Sequence, residues 1–153
     1  MNQNISREGK ANLERLVELV GFRLKNQGKA KSVDLIGNTI YIDTAIYNQE
    51  TLEAFIELSI SEFNQTPEFT NYTIENGRFI DCFAEVLVEG AVLYALASQA
   101  LLERGREFAI EDGGVYLDPP KVSEMLNTQY STLLSHHWDK LKHIKLNINN
   151  FQK

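Results

Sequence analysis

The stretch from Phe79 to Leu102 constrains this chain more than any other. It carries Phe79, Ile80, Phe83, Val86, Leu87, Val92, Leu93, Tyr94, Leu96, Leu101 and Leu102, with Gly90, Ala91, Ala95, Ala97 and Ala100 between them. Apolar side chains on every side of a helix leave no face for water, so such a helix must be surrounded. The stretch is long enough to cross a bilayer, but Asp81, Glu85 and Glu89 lie within it. Charges at bilayer depth are costly, so no membrane span is expected and burial inside protein is. The spacing predicts a central helix over about residues 78–104. Glycine costs about 1 kcal/mol against alanine inside a helix, so Gly90 is expected where another element approaches closely.

Asp81, Glu85 and Glu89 are four residues apart and line one side of that helix. Like charges at this spacing cost a few tenths of a kcal/mol per pair, which cations from another helix or another subunit would offset. The three acids are assigned here to inter-subunit charge pairing. Metal ligands would show the same spacing, but the Glu-x-x-His pattern of bundle di-metal proteins is missing, so no metal site is predicted.

The rest of the chain supplies surroundings for the central helix. Leu13, Leu16, Val17, Val20 and Leu24 give an amphipathic helix over about 6–27, with Ser6 as N-cap and Gly28 as terminator. Asn48 caps a second helix over about 49–65, with Leu52, Phe55, Ile56, Ile60 and Phe63 on one side and Pro67 closing it. Asp118-Pro119-Pro120 begins a last helix over about 119–146, carrying Val122, Leu126, Tyr130, Leu133, Leu134, His137, Trp138, Leu141 and Ile144. Its first half is otherwise a run of small neutral polar groups, from Asn127 to His136, of the kind found on protein contacts. Two hairpins are expected, over about 32–43 around Gly37-Asn38 and about 107–117 around Asp112-Gly113-Gly114. In the first, a two-residue turn pairs Leu35 with Ile40 and Val33 with Ile42. Residues 69–77, FTNYTIENG, read as a linker or a short strand, and 147–153 as a loose tail. The fold class is therefore mainly α, a single domain over 1–153 built as a helical bundle around one long central helix, with two short β-hairpins.

Chemistry is sparse. Cys82, the single cysteine, lies in an apolar run and is expected to be a small buried group. His136 and His137 are adjacent, so their rings diverge by about 100° on a helix and cannot share an ion. No phosphate-binding glycine loop, nucleophile elbow or Ser/His/Asp order is present, so neither a catalytic site nor a cofactor is predicted and the chain is read as a non-enzyme. Charge is uneven: seven basic and five acidic groups among residues 1–47, three and fourteen among 48–118, five and two among 121–153. An acidic centre disfavours nucleic-acid wrapping and suits copies packing side by side, acidic face against basic face.

The segment from Phe79 through Lys145 resembles the connector, or neck, proteins beneath the portal of tailed bacteriophages, including the crAss-like group. The resemblance is carried by a long helix ending ALLERGREF, the turn segment AIEDGGVYLDPP and the final helix KVSEMLNTQYSTLLSHHWDKLKHIK. It implies a virion structural protein, made in the host cytoplasm and placed in the neck. Such a protein forms a homo-oligomeric ring, commonly twelve-fold, that docks on the portal, contacts other neck and tail proteins and lets DNA pass without specific binding. It further implies that Trp138, Leu141 and Ile144 dock on the portal; on charge alone, the acidic middle, with Glu50, Glu53 and Glu57, would suit a channel wall along which DNA slides without sticking. The competing expectations are a small cytoplasmic α+β ligand-binding domain or enzyme, which would need a buried polar cluster, and a regulatory module binding a protein partner through the neutral helix face.

Overall fold

A computed structural model describes residues 5–25, 29–33, 36–43, 45–106, 110–112, 115–117 and 121–151. Among them are the helices α1 (Arg7–Arg23), α2 (Gln49–Gln65), α3 (Gly77–Arg106) and α4 (Val122–Phe151), and the short strands β1 (Lys29–Val33), β2 (Thr39–Asp43), β3 (Ile110–Asp112) and β4 (Val115–Leu117). The protein is mainly α. The expected central helix is α3: it packs on α1, α2 and α4, while α1 also packs on α2. From Val86 to Ala100 no residue of α3 is exposed. The burial ends a turn earlier than the sequence suggests, for Leu101 is 72% exposed. The helix also runs through Gly105 rather than stopping there.

Local signals explain the other helices. The Ser6 hydroxyl accepts from the Gly9 N–H at 3.0 Å and caps α1, whose Leu13, Leu16 and Val20 enter the core. The helix then stops at Arg23, short of the expected 27. Its last turn tightens, with the Lys25 N–H donating to the Phe22 carbonyl, and Lys25 takes a left-handed conformation at φ +52. Gly28, the expected terminator, lies outside the described residues. Asn48 caps α2 by accepting from the Thr51 N–H at 2.9 Å, and the expected Leu52, Phe55, Ile56, Ile60 and Phe63 are all buried.

Three expectations change. Cys82 is exposed, because it shares the stripe Arg78, Asp81, Cys82, Glu85 that α3 turns to solvent. The tail predicted to be loose from residue 147 is helical to Phe151, with Ile148 packed against the core. At the places where hairpins were expected the backbone shows only short antiparallel pairings. The first has another register, with Val33 opposite Thr39 and Ala30 opposite Ile42. Five residues therefore separate the two paired strands instead of two, and Val33 is not the register partner of Ile42. Leu35 and the Asp118-Pro119-Pro120 helix start lie outside the described residues.

The linker between α2 and α3 is irregular but closely held. Asn64 receives the Tyr72 N–H at 3.0 Å on its carbonyl and donates its amide to the Tyr72 carbonyl at 2.8 Å. Asn12 of α1 donates to the Ile74 carbonyl at 2.9 Å. Tyr72 stacks on Phe79 with ring centres 4.5 Å apart, and Phe63 meets both rings edge-on. Lys145 of α4, only 1% exposed, donates to the Glu68 carbonyl at 3.0 Å and the Thr70 hydroxyl at 2.7 Å, and its ammonium sits 4.7 Å from the Phe63 ring centre. At the other end, the Ser6 N–H and hydroxyl both donate to the Glu75 carboxylate.

Those two Ser6 bonds hold the Glu75 carboxyl below its ordinary range. Ser6→Ala removes the cap and one of the bonds. It is expected to cost about 1 kcal/mol at neutral pH in urea unfolding, and to move the Glu75 titration upward in NMR. A depressed carboxylate stabilises above its unfolded pKa and loses that contribution as pH falls through its folded value, so the deficit of the variant should shrink in acid.

Candidate functional site

The line of acids on α3 meets cations from both flanking helices. Arg15 of α1 reaches Asp81 at 2.6 Å, Arg23 lies 3.7 Å from Glu89, and Lys140 of α4 bridges Glu85 at 3.2 Å and Glu89 at 3.0 Å. The cations expected from another helix or another subunit are supplied here by other helices of the same chain, because α1 and α4 both lie along this side of α3. The Arg15–Asp81 pair is exposed and worth at most about 1 kcal/mol. Glu89 is deeper. Burial would push the Lys140 ammonium down, but its bonds to Glu89 and Glu85 outweigh that and leave it raised.

Beside Glu89 lies a buried polar cluster that the sequence did not reveal. His137 is 4% exposed, with Nε2 3.9 Å from Glu62 and Nδ1 3.9 Å from Glu89, both too long for direct hydrogen bonds. Its Nδ1 is buried with no hydrogen-bond partner. Glu62 accepts from the Trp138 indole N–H at 2.9 Å. The Tyr94 hydroxyl is pushed up to about 12 by burial and then by the charge and hydrogen bond of Glu62. Ser59 donates to the Leu87 carbonyl at 2.8 Å and lies directly over Gly90. The helix-periodic pattern marks His137 and Trp138 only as an amphipathic pair; their shared dependence on Glu62 of α2 is a tertiary fact. A cavity of about 370 Å³ opens next to them, between Arg23, Glu89, Val92, Leu93, Leu133 and Lys140. His137 presents its two nitrogens to different carboxylates, so the trio cannot close on one ion, and the cluster holds no activated nucleophile.

Burial lowers the pKa of His137, against the opposing pull of Glu62 and Glu89. Its neutral form is thus the one the fold prefers. As pH falls through about 6.5 the unfolded chain takes up this proton first, so stability should drop between pH 7.5 and 5.5. Unfolding in urea at both values checks this, and His137→Gln should flatten the slope.

The three residues expected to dock on the portal do not form a surface. Leu141 is 1% exposed and belongs to the core, and Ile144 is half-buried against it. Trp138 is 46% exposed but its indole is tied to Glu62. The reason is rotational: the face of α4 bearing Leu141 and Ile144 is the one that closes on α3. The neutral stripe is what α4 turns outward: Asn127, Thr128, Gln129, Ser131, Thr132, Ser135 and His136 are exposed, together with Met125 and Leu133. Thr128, Ser131 and Thr132 each donate back to the carbonyl four residues earlier, which leaves few unsatisfied donors on that stripe.

A second surface lies at the C-terminal end of α1. Phe22 is 78% exposed, and with Leu19, Ala84 and Val88 it forms an apolar groove of about 680 Å³ rimmed by Arg23, Lys25 and Glu85. Leu19 and Phe22 fall off the core stripe of α1, and their three-residue spacing on its outer side was the available signal. On α2 the outward stripe is Glu50, Ala54, Glu57, Leu58 and Ser61. Glu53, expected beside Glu50 and Glu57, is buried instead and receives the Gln49 amide at 2.9 Å.

No protein-family model, curated protein or solved structure matches the chain.

Proposed function

We propose that this chain is a virion structural protein, a ring-forming adaptor that sits beneath the portal of a tailed phage and carries the DNA channel toward the tail. The phage assignment rests on the resemblance of Phe79–Lys145 to neck proteins. The observation that carries the assembly role is the exposure of Phe22 and Leu19 in a groove on a bundle whose own core is already filled. An apolar patch with a charged rim is the ordinary anatomy of a protein contact. In this reading the neutral stripe of α4, with Leu133 and Met125, takes the portal-docking role first given to Trp138, Leu141 and Ile144. DNA passes through the ring without specific binding. The mass of the purified protein, alone and mixed with its portal, tests the proposal. A ring of about twelve copies, or a portal complex of that stoichiometry, is expected from the resemblance; a monomer under both conditions removes it.

The cavity beside His137 favours a second reading, a small-ligand module. It is mostly apolar, and its charges are already paired with one another, which leaves little to select a ligand. Thermal-shift screening against small carboxylates and amines would support it only if a shift is lost in His137→Gln.

A further inference from the structure

We infer that the groove between α1 and α3 receives the acidic side of α2 from a second copy of this chain, in a head-to-tail contact. The inference rests on the assembly role proposed above and adds which surfaces meet. The floor of the groove is apolar, formed by Phe22, Leu19, Ala84 and Val88, and its rim carries Arg23 and Lys25. On that rim Arg23 is paired with Glu89 and Glu85 with Lys140, and among the described residues no acid pairs with Lys25, so Lys25 leaves the rim with a net positive charge. The outward stripe of α2 is the complement: Leu58 is exposed, Glu57 and Glu50 lie together on one side of it, and among the described residues no cation pairs with either acid.

One further point favours this occupant. A groove with a positive rim repels its own copy, so the contact is between different surfaces of two subunits, an arrangement that can generate rings or open filaments.

The test is a charge exchange in the full chain, with assembly followed by mass photometry and sedimentation. Lys25→Glu and Glu57→Lys should each weaken self-association at least tenfold, and the double variant K25E/E57K should restore it to within a few-fold of wild type. Phe22→Ser should abolish assembly while leaving the circular dichroism and melting temperature of the subunit unchanged, since the ring is already in water. Restoration by the double variant is a result misfolding cannot imitate. If wild type assembles and Phe22→Ser or Lys25→Glu assembles equally well, the groove is not the interface, although the adaptor reading stands. If the single variants weaken assembly and the double variant does not restore it, α2 is not the occupant. If wild type stays monomeric alone and with portal, both readings fall together.

Discussion

Lys145→Ala should be among the most damaging single substitutions in the protein, lowering stability by about 3 kcal/mol. The side chain is 1% exposed, and it crosses from α4 to the α2–α3 linker to satisfy the Glu68 carbonyl and the Thr70 hydroxyl. Truncation leaves these acceptors with a void beside them, and removes the ammonium from the Phe63 ring. Lys145→Met keeps most of the stem and should lose about half as much. Chemical unfolding of the three proteins measures both effects. Burial pushes the Lys145 ammonium down, with the Glu68 charge opposing. A lysine with a lowered folded pKa contributes more as pH rises toward its unfolded value. Wild type should therefore gain on Lys145→Met between neutral pH and about 10.

Gly90→Ala is the second large effect, and its sign runs against helix propensity. Alanine should gain about 1 kcal/mol in a helix interior. At this position, however, a Cβ would lie 3.1 Å from the Ser59 Cβ and 3.3 Å from His137 Nε2, and closer still to the Ser59 hydroxyl. Ser59 is buried and bonded to the Leu87 carbonyl, so it cannot simply turn away. The expected net result is a loss of about 2 kcal/mol as α2 and α4 are pushed off α3. Ser59→Gly in the same background removes the obstruction and should recover a good part of that loss. If Gly90→Ala stabilises the protein in thermal unfolding, the close approach at this crossing is wrong.

The need for an intimate contact at Gly90 was legible in the sequence, because an interior glycine in an otherwise ideal helix demands a reason. So were the caps Ser6 and Asn48 and nearly all of the core stripe of α2, since these follow from local spacing. What could not be read was rotational phase. Leu141 and Leu133 both belong to the apolar side of α4 by periodicity, yet one is core and the other exposed, because the contact with α3 covers only part of that arc. The partners of Asp81, Glu85 and Glu89 had the same character: the spacing required cations, but only the placement of α1 and α4 shows that Arg15, Arg23 and Lys140 supply them in the same chain. The polar cluster around His137 draws on α2, α3 and α4 and leaves no pattern within any one of them. The register of β1 and β2 depended on the length of their connection, which Gly37-Asn38 suggested to be shorter than it is.

The way α4 is fastened bears on how such a subunit would meet its partners. A helix that carries Leu141 in the core and threads Lys145 into the linker has already lost its conformational freedom before any encounter. Docking on its outer stripe therefore adds little ordering entropy, and association would proceed as a rigid-body collision with rates of about 10⁵–10⁷ M⁻¹s⁻¹. An arm that had to fold upon contact would instead spend part of its contact energy on becoming ordered. For this molecule the last helix is a strut, and its outward geometry is set when the chain folds.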